Sequence, residues 1–163
     1  MNLILTIESI PSNNWHLSLA NLLPKPVWDT IRREVYFKAG YICEVCSACD
    51  CEVHAHEVWT YDDKKHSQVL KDIVCLCADC HNIKHWGRVV ALVHKRQLPP
   101  DTLQKLTDHF LRVNKCTKED FEIHKVAVGE LTHMRSNKKY KINFGKFKIN
   151  RVISIWEKEN TRR

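Results

Sequence analysis

The apolar positions of this chain change period several times, and each change marks an element. Residues 3–10, LILTIESI, read as a short strand that PSNN interrupts. In PKPVWDTIRREVYFKAG the period becomes helical, with Pro26 near the start and Gly40 just past the end. Trp28, Ile31, Val35 and Ala39 share one face of that helix, so Trp28 and Tyr36 are assigned to packing. EVHAHEVW alternates like a strand; the polar TYDDKKHSQ and the apolar run DIVCLC follow it. A helix is expected from near Asp79, carrying CHNIKHWGRVVALVHKRQL with Gly87 as its weak spot, and LPPD ends it. DTLQKLTDHFLRVN predicts another helix, with Leu103, Leu106, Phe110 and Val113 on one face. TKED opens a further one through a capping box of Thr117 and Asp120. In the tail, Tyr140, Ile142 and Phe144 alternate with Lys139, Lys141 and Asn143, a strand period, and Gly145 predicts a turn or bulge between two short strands.

Composition narrows the class. A chain of 163 residues with 44% hydrophobic and 28% charged positions has the length of one domain and the balance of a soluble protein. Its longest apolar runs, such as Val89 to Val93, are too short to span a bilayer, and MNLILTIESIP lacks the basic leader of a secretory signal, so no membrane partner is expected. The net charge of +7 is uneven. Residues 135–163 hold ten Lys or Arg against two Glu, whereas residues 1–134 hold 16 basic and 17 acidic residues. The basicity therefore belongs to the tail, where it suits phosphates or simply keeps the surface solvated.

Cysteine usage changes the picture more. Seven of the eight cysteines lie between Cys43 and Cys80 with no export signal, which favours metal binding in a reducing cytoplasmic setting over disulfides. Cys43-x-x-Cys46 and Cys77-x-x-Cys80 are two chelating pairs separated by thirty residues, and together they supply four thiolates for a closed structural zinc site. Cys49, Cys51, Cys75 and Cys116 are left as ordinary thiols; a redox role for Cys49, Cys51 and Cys75 is the remaining alternative.

Histidines point to a second site. His81 and His85 stand four apart on the helix that starts at the second cysteine pair, so both project from one face. HNIKH superficially matches the H-E-x-x-H of metalloproteases, but Asn82 stands where the Glu base is needed, which argues against a protease. A zinc holding the two cysteine pairs draws HAHE toward that helix, bringing His54 or His56 near His81 and His85 in an open metal site.

GYICEVC, VHAHEVWTYDD and LCADCHNIKHWG together resemble the HNH endonuclease family, in a zinc-knuckle branch with a single His-Glu motif. The likeness covers most of residues 4–135. It implies an α+β fold: a ββα-metal (HNH) core with a four-cysteine zinc knuckle, flanked by helices and a short C-terminal β segment. On that basis residues 1–25 are an N-terminal strand and linker, 26–98 the core, 99–135 a helical extension and 136–163 the basic tail. The resemblance further implies a DNA phosphodiesterase with a structural zinc and a catalytic divalent cation (magnesium, manganese, nickel or zinc). Phage, mobile-element or defence settings are usual for such small members.

The resemblance assigns His81 and His85 as cation ligands and makes His56-Glu57 the catalytic pair. Either His56 is the ligand and Glu57 the base, or His56 is the base and Glu57 or His54 completes the ligand set; the chemistry of imidazole as a base leans to the second. Asp72 falls where the family's Asn orients the base. Phosphate contacts are expected from Lys84 and Arg88, and from Lys138, Lys139, Lys141, Lys146 and Lys148 of the tail. Trp59 and Trp86 are assigned to the core, with lining of the cleft as the alternative. The competing functional reading is a catalytically inactive, zinc-stabilised module that binds nucleic acid or a protein partner.

Overall fold

Val53–Asp62 (β1) and Ser67–Cys77 (β2) pair as an antiparallel hairpin in the computed structural model, which describes residues 2–147 and 149. The polar stretch between them is the hairpin turn: Asp62 Oδ1 accepts the N–H groups of Lys64 and Lys65 at 3.1 and 2.9 Å, and His66 turns through φ 48°. Between Val58 and Trp59 the register shifts, since Val58 faces Asp72 but Trp59 faces Leu70. The extra residue, Lys71, is a bulge that lets Leu70 and Ile73, three apart on β2, face the same layer. Lys141–Asn143 (β3) adds a parallel third strand at Ser67–Val69, giving the order β1-β2-β3.

Helices cover both faces, so the fold is α+β with a small three-stranded sheet. On one face lie Leu19–Leu22 (α1) and Lys25–Lys38 (α2), whose Leu19, Leu23 and Val27 pack with Leu70 and Ile73; Trp28, Ile31 and Val35 join them as predicted. Pro26 stands in the first turn of α2, and Gly40 follows its end with φ +61°. Tyr36 reaches the free edge of β1, where its hydroxyl accepts the Ala55 N–H at 3.1 Å.

Ala78–Lys84 (α3), Trp86–His94 (α4), Thr102–Asn114 (α5) and Lys118–Ser136 (α6) build the other layer. Its core joins Leu76 of β2 to Ile83, Trp86, Val89, Leu106, Phe110 and Phe121. The helix expected from Asp79 to Leu98 is in fact two. The break falls at His85 (φ −98°, ψ 37°), two residues before Gly87, and the His85 carbonyl accepts the first N–H groups of α4, Arg88 and Val89, at 2.9 and 3.2 Å. The capping box of α6 forms as expected, with Thr117 and Asp120 exchanging bonds of 2.9 and 3.2 Å.

The N-terminal segment departs from its expected strand. Leu5, Ile7 and Ser9 are buried in alternation, but the segment joins no sheet among the described residues. Its backbone is satisfied by helices: Ile4 and Leu5 donate to Asn114 Oδ1 at 2.8 and 2.9 Å, Ile7 to His124 Nε2 at 2.9 Å, and Glu8 to the Lys84 carbonyl at 3.1 Å. Period-2 burial needs only an extended chain, and side-chain partners serve where no strand is free.

The C-terminal part is anchored at the hairpin turn, where Asp63 takes two bonds from Arg135 and one from Tyr140. At Gly145 (φ +55°) an added Cβ would meet the Leu70 carbonyl oxygen at 2.6 Å, so the predicted turn needs glycine. The second strand expected after it lies outside the described residues, as does Lys148. No helix among the described residues is long and apolar enough to cross a membrane.

Candidate metal centres and the adjoining cleft

Two turns build the first centre. Cys43 and Cys46 sit in a loop after α2 that closes through Ser47 N–H to the Cys43 carbonyl and Cys43 N–H to the Ala48 carbonyl, both 2.9 Å, with Ser47 at φ 60°. Glu44 fastens the loop to β2, its N–H donating to the Cys75 carbonyl and its carboxylate accepting the Cys75 N–H. Cys77 ends β2 and caps α3, accepting the Cys80 N–H at 3.5 Å. The sulfurs of Cys43, Cys46, Cys77 and Cys80 all lie within 4.8 Å of one another. Thiolates around a tetrahedral zinc at about 2.3 Å stand about 3.8 Å apart, so this set fits zinc. The Cys77 thiol is pushed down to about 5 by hydrogen bonds from the Cys80 thiol and backbone, despite its burial, which favours the thiolate a metal requires.

His109 packs against that centre, and the sequence offered no signal for it. From α5, 29 positions on, its Nε2 lies 3.2 Å from Cys80 Sγ, while Nδ1 lies 2.8 Å from Arg112. Cys49 and Cys51 are exposed, Cys116 is half-buried, and none of them joins the cluster. Cys75 is fully buried and pushed up to about 11 by that burial, the environment of an inert thiol rather than a redox sensor.

The second centre gathers His56, His81 and His85, with one ligand atom from each within 4.8 Å of the others. His56 lies on β1 opposite Val74, only 1% exposed, and its Nδ1 has no hydrogen-bond partner among the described residues. Burial, then neighbouring histidines, pushes His81 down to about 3; burial and the nearby His56 push His85 down to about 4. Both imidazoles are therefore neutral near pH 7, the form that ligates metal. An orphaned buried nitrogen beside two neutral imidazoles is a donor set that fits a divalent cation.

Glu8, which sequence reasoning passed over, reaches this centre from the N-terminal segment. Its Oε1 lies 3.0 Å from His56 Nε2 and 3.6 Å from Lys84 Nζ. Burial raises its carboxyl, but the His56 hydrogen bond and the charges of His56, Lys84 and His85 outweigh that, leaving the pKa lowered. Its only mark in the sequence was a carboxylate inside an apolar run.

The remaining expected site residues are placed differently. His54 is outside the convergent set; its ring stacks on His81 with centroids 5.0 Å apart. Glu57 points away from His56, as neighbours on a strand must, and its Oε1 accepts the Leu19 N–H at 2.7 Å. Burial raises its pKa against that bond. Asp72 does not orient His56. It is largely exposed, accepts the Ile73 N–H at 3.1 Å and pairs with Lys146 at 3.5 Å. Lys146 sits at Asp72, two residues along β2 from the partner of His56, whereas Lys138, Lys139 and Lys141 lie around β3, at the hairpin-turn end of the sheet. That is five residues along β2 from the partner of His56, roughly 16 Å.

A cleft of about 570 Å³ opens beside the triad, along the free edge of β1. His81, His85, Glu8 and Glu57 border one end; Trp15, Trp59 and Trp86 line its walls. Trp86 is also a core residue, edge-on to Phe121 at 5.1 Å. Lys84 and Arg88 border the cleft as well.

Comparison with protein-family models, with curated proteins and with solved structures finds no match for this chain.

Proposed function

We propose that the protein is a metal-dependent endonuclease of the HNH kind that hydrolyses DNA phosphodiester bonds. The observation that carries this reading is the convergence of His56, His81 and His85 at the junction of β1 and α3, next to a four-thiolate cluster that ties the loop after α2 to the end of β2 and the start of α3. A strand–strand–helix unit with this donor set, built on the residues that resemble the HNH motif, is what the reading requires.

His56, His81 and His85 would hold a divalent cation, which supplies Lewis-acid polarisation of the scissile phosphate and stabilises the leaving oxygen. Glu8 holds the His56 ring by accepting from Nε2, leaving Nδ1 as that residue's free donor. With His56 among the ligands, the base falls to a carboxylate. Glu57 suits this better than Glu8, because burial raises its proton affinity whereas the cations around Glu8 lower its own. Leu19 N–H occupies Glu57 Oε1, so a water's proton would go to Oε2. Arg88, exposed at the cleft, is placed to hold a phosphate; Lys84 is committed to Glu8.

Nicking of supercoiled plasmid with magnesium, manganese or nickel, comparing wild type with His81→Ala and Glu57→Gln, tests the proposal. Cutting should fall by at least about a hundredfold in both variants. Equal nicking by all three proteins would mean contamination and remove the enzyme. Intact DNA binding with no cutting in any metal would leave the zinc-stabilised binding module.

A further inference from the structure

The cleft beside the triad is shaped for more than a phosphate. Its volume is in the range of sites that enclose a small organic group. Trp15 stands at it with 67% of its surface exposed. Its Nε1–H already donates to the Ile10 carbonyl at 3.1 Å, so the ring is held and its face is left for stacking. Deeper in, the buried amides of Asn14 and Gln68 bond to each other and border the same space, offering a hydrogen-bonding edge between apolar walls.

Charge selects the occupant. Lys84 pairs with Glu8 and Lys125 with Glu122, but Arg88 and Lys95, both exposed on α4 and its end, make no ion pair among the described residues. An aromatic wall, an amide edge and unpaired cations suit a planar, hydrogen-bonding ring joined to phosphates. A base inside a duplex is covered on both faces and cannot use such a wall; a base out of the stack can.

We propose that this cleft receives an unpaired base of the DNA strand whose phosphate lies at the histidine triad, which makes single-stranded or locally unpaired DNA the substrate. This rests on the nuclease reading above and specifies its substrate. Trp15 is the stacking platform, Asn14 and Gln68 face the base edge, and Arg88 and Lys95 hold flanking phosphates.

The test measures fluorescence anisotropy and manganese-supported cleavage in parallel, with the full chain. The probes are a labelled single-stranded oligonucleotide and the same sequence as blunt duplex. The single strand should be bound and cut about tenfold better or more. Trp15→Ala should lose about tenfold in single-strand binding, with Trp15→Phe restoring most of it. Phe37→Ala, an exposed aromatic on α2 outside the cleft, should change nothing. Duplex bound and cut as well as single strand, with no effect of Trp15→Ala, would overturn the inference and leave the nuclease standing. Trp15-dependent binding of single strands without any cutting would remove the nuclease and keep the base-binding cleft. A free deoxynucleoside monophosphate that displaces the strand at equal nucleotide concentration would make the ligand a free nucleotide and overturn the strand assignment.

Discussion

Glu8 Oε1 and His56 Nε2 are 3.0 Å apart although 48 residues separate them in the chain. The contact joins the N-terminal segment to the most buried histidine of the second centre. A carboxylate behind a ligating imidazole fixes the ring and raises its basicity as a ligand. Glu8→Ala should therefore weaken manganese or nickel binding at the triad about 10- to 100-fold, with zinc content unchanged. Calorimetric titration of the zinc-loaded protein measures this, and wild-type affinity in the variant would show that the contact is only packing.

The cysteine cluster makes a separate prediction. Cys43 is buried in a loop that packs Val45 and Ala48 on the core and leans on β2 through Glu44. Cys43→Ser should release zinc and destroy the cooperative melt, because structural zinc binding is itself folding energy. Elemental analysis and circular dichroism read the two effects; full zinc occupancy with an unchanged melt would refute the four-thiolate assignment.

His109 should tune how tightly that zinc is held. With its Nε2 3.2 Å from Cys80 Sγ, it is placed to donate to a coordinated thiolate, and Arg112 and Asp79 flank the other nitrogen. His109→Ala should leave a folded, zinc-loaded protein that surrenders its metal to a chelator about 10- to 100-fold more readily. An unchanged chelator titration would reduce His109 to core filling.

Asp63 ties the hairpin turn to the end of α6. Hydrogen bonds from Arg135 and Tyr140 hold its carboxyl below the usual range, against slight burial. A lowered folded-state pKa contributes stability above the unfolded value, about 3.9, and that contribution is lost as pH falls through the folded one. Asp63→Asn should therefore melt earlier than wild type at pH 7, and the gap should narrow below about pH 4. A gap of the same size at pH 7 and pH 3 would mean the link is not ionic.

Local patterns in the sequence accounted for much of this architecture. The helices α2, α5 and α6 follow from apolar faces and end residues acting within one or two turns, as the Thr117–Asp120 box and Gly40 illustrate. The clustering of Cys43, Cys46, Cys77 and Cys80 follows from two chelating pairs. The strand expected at residues 3–10 failed for a related reason: alternation reports which side is buried, not which backbone is across the way.

What tertiary structure alone decided is the membership of the second centre. Along the chain His54, His56 and Glu57 all stay open, with the lean to His56 as base and Glu57 or His54 as ligand, whereas His56 is the one of the three that joins His81 and His85 within ligand reach. The break at His85, the bulge opposite Val58 and the arrival of Glu8 from far away in sequence are all set by how elements seat on one another. On a strand, successive side chains face opposite ways, so a shift of one residue would exchange His56 for Glu57. No local pattern encodes that choice, because it is made by the packing of β1 against α3 on one face and α1 on the other.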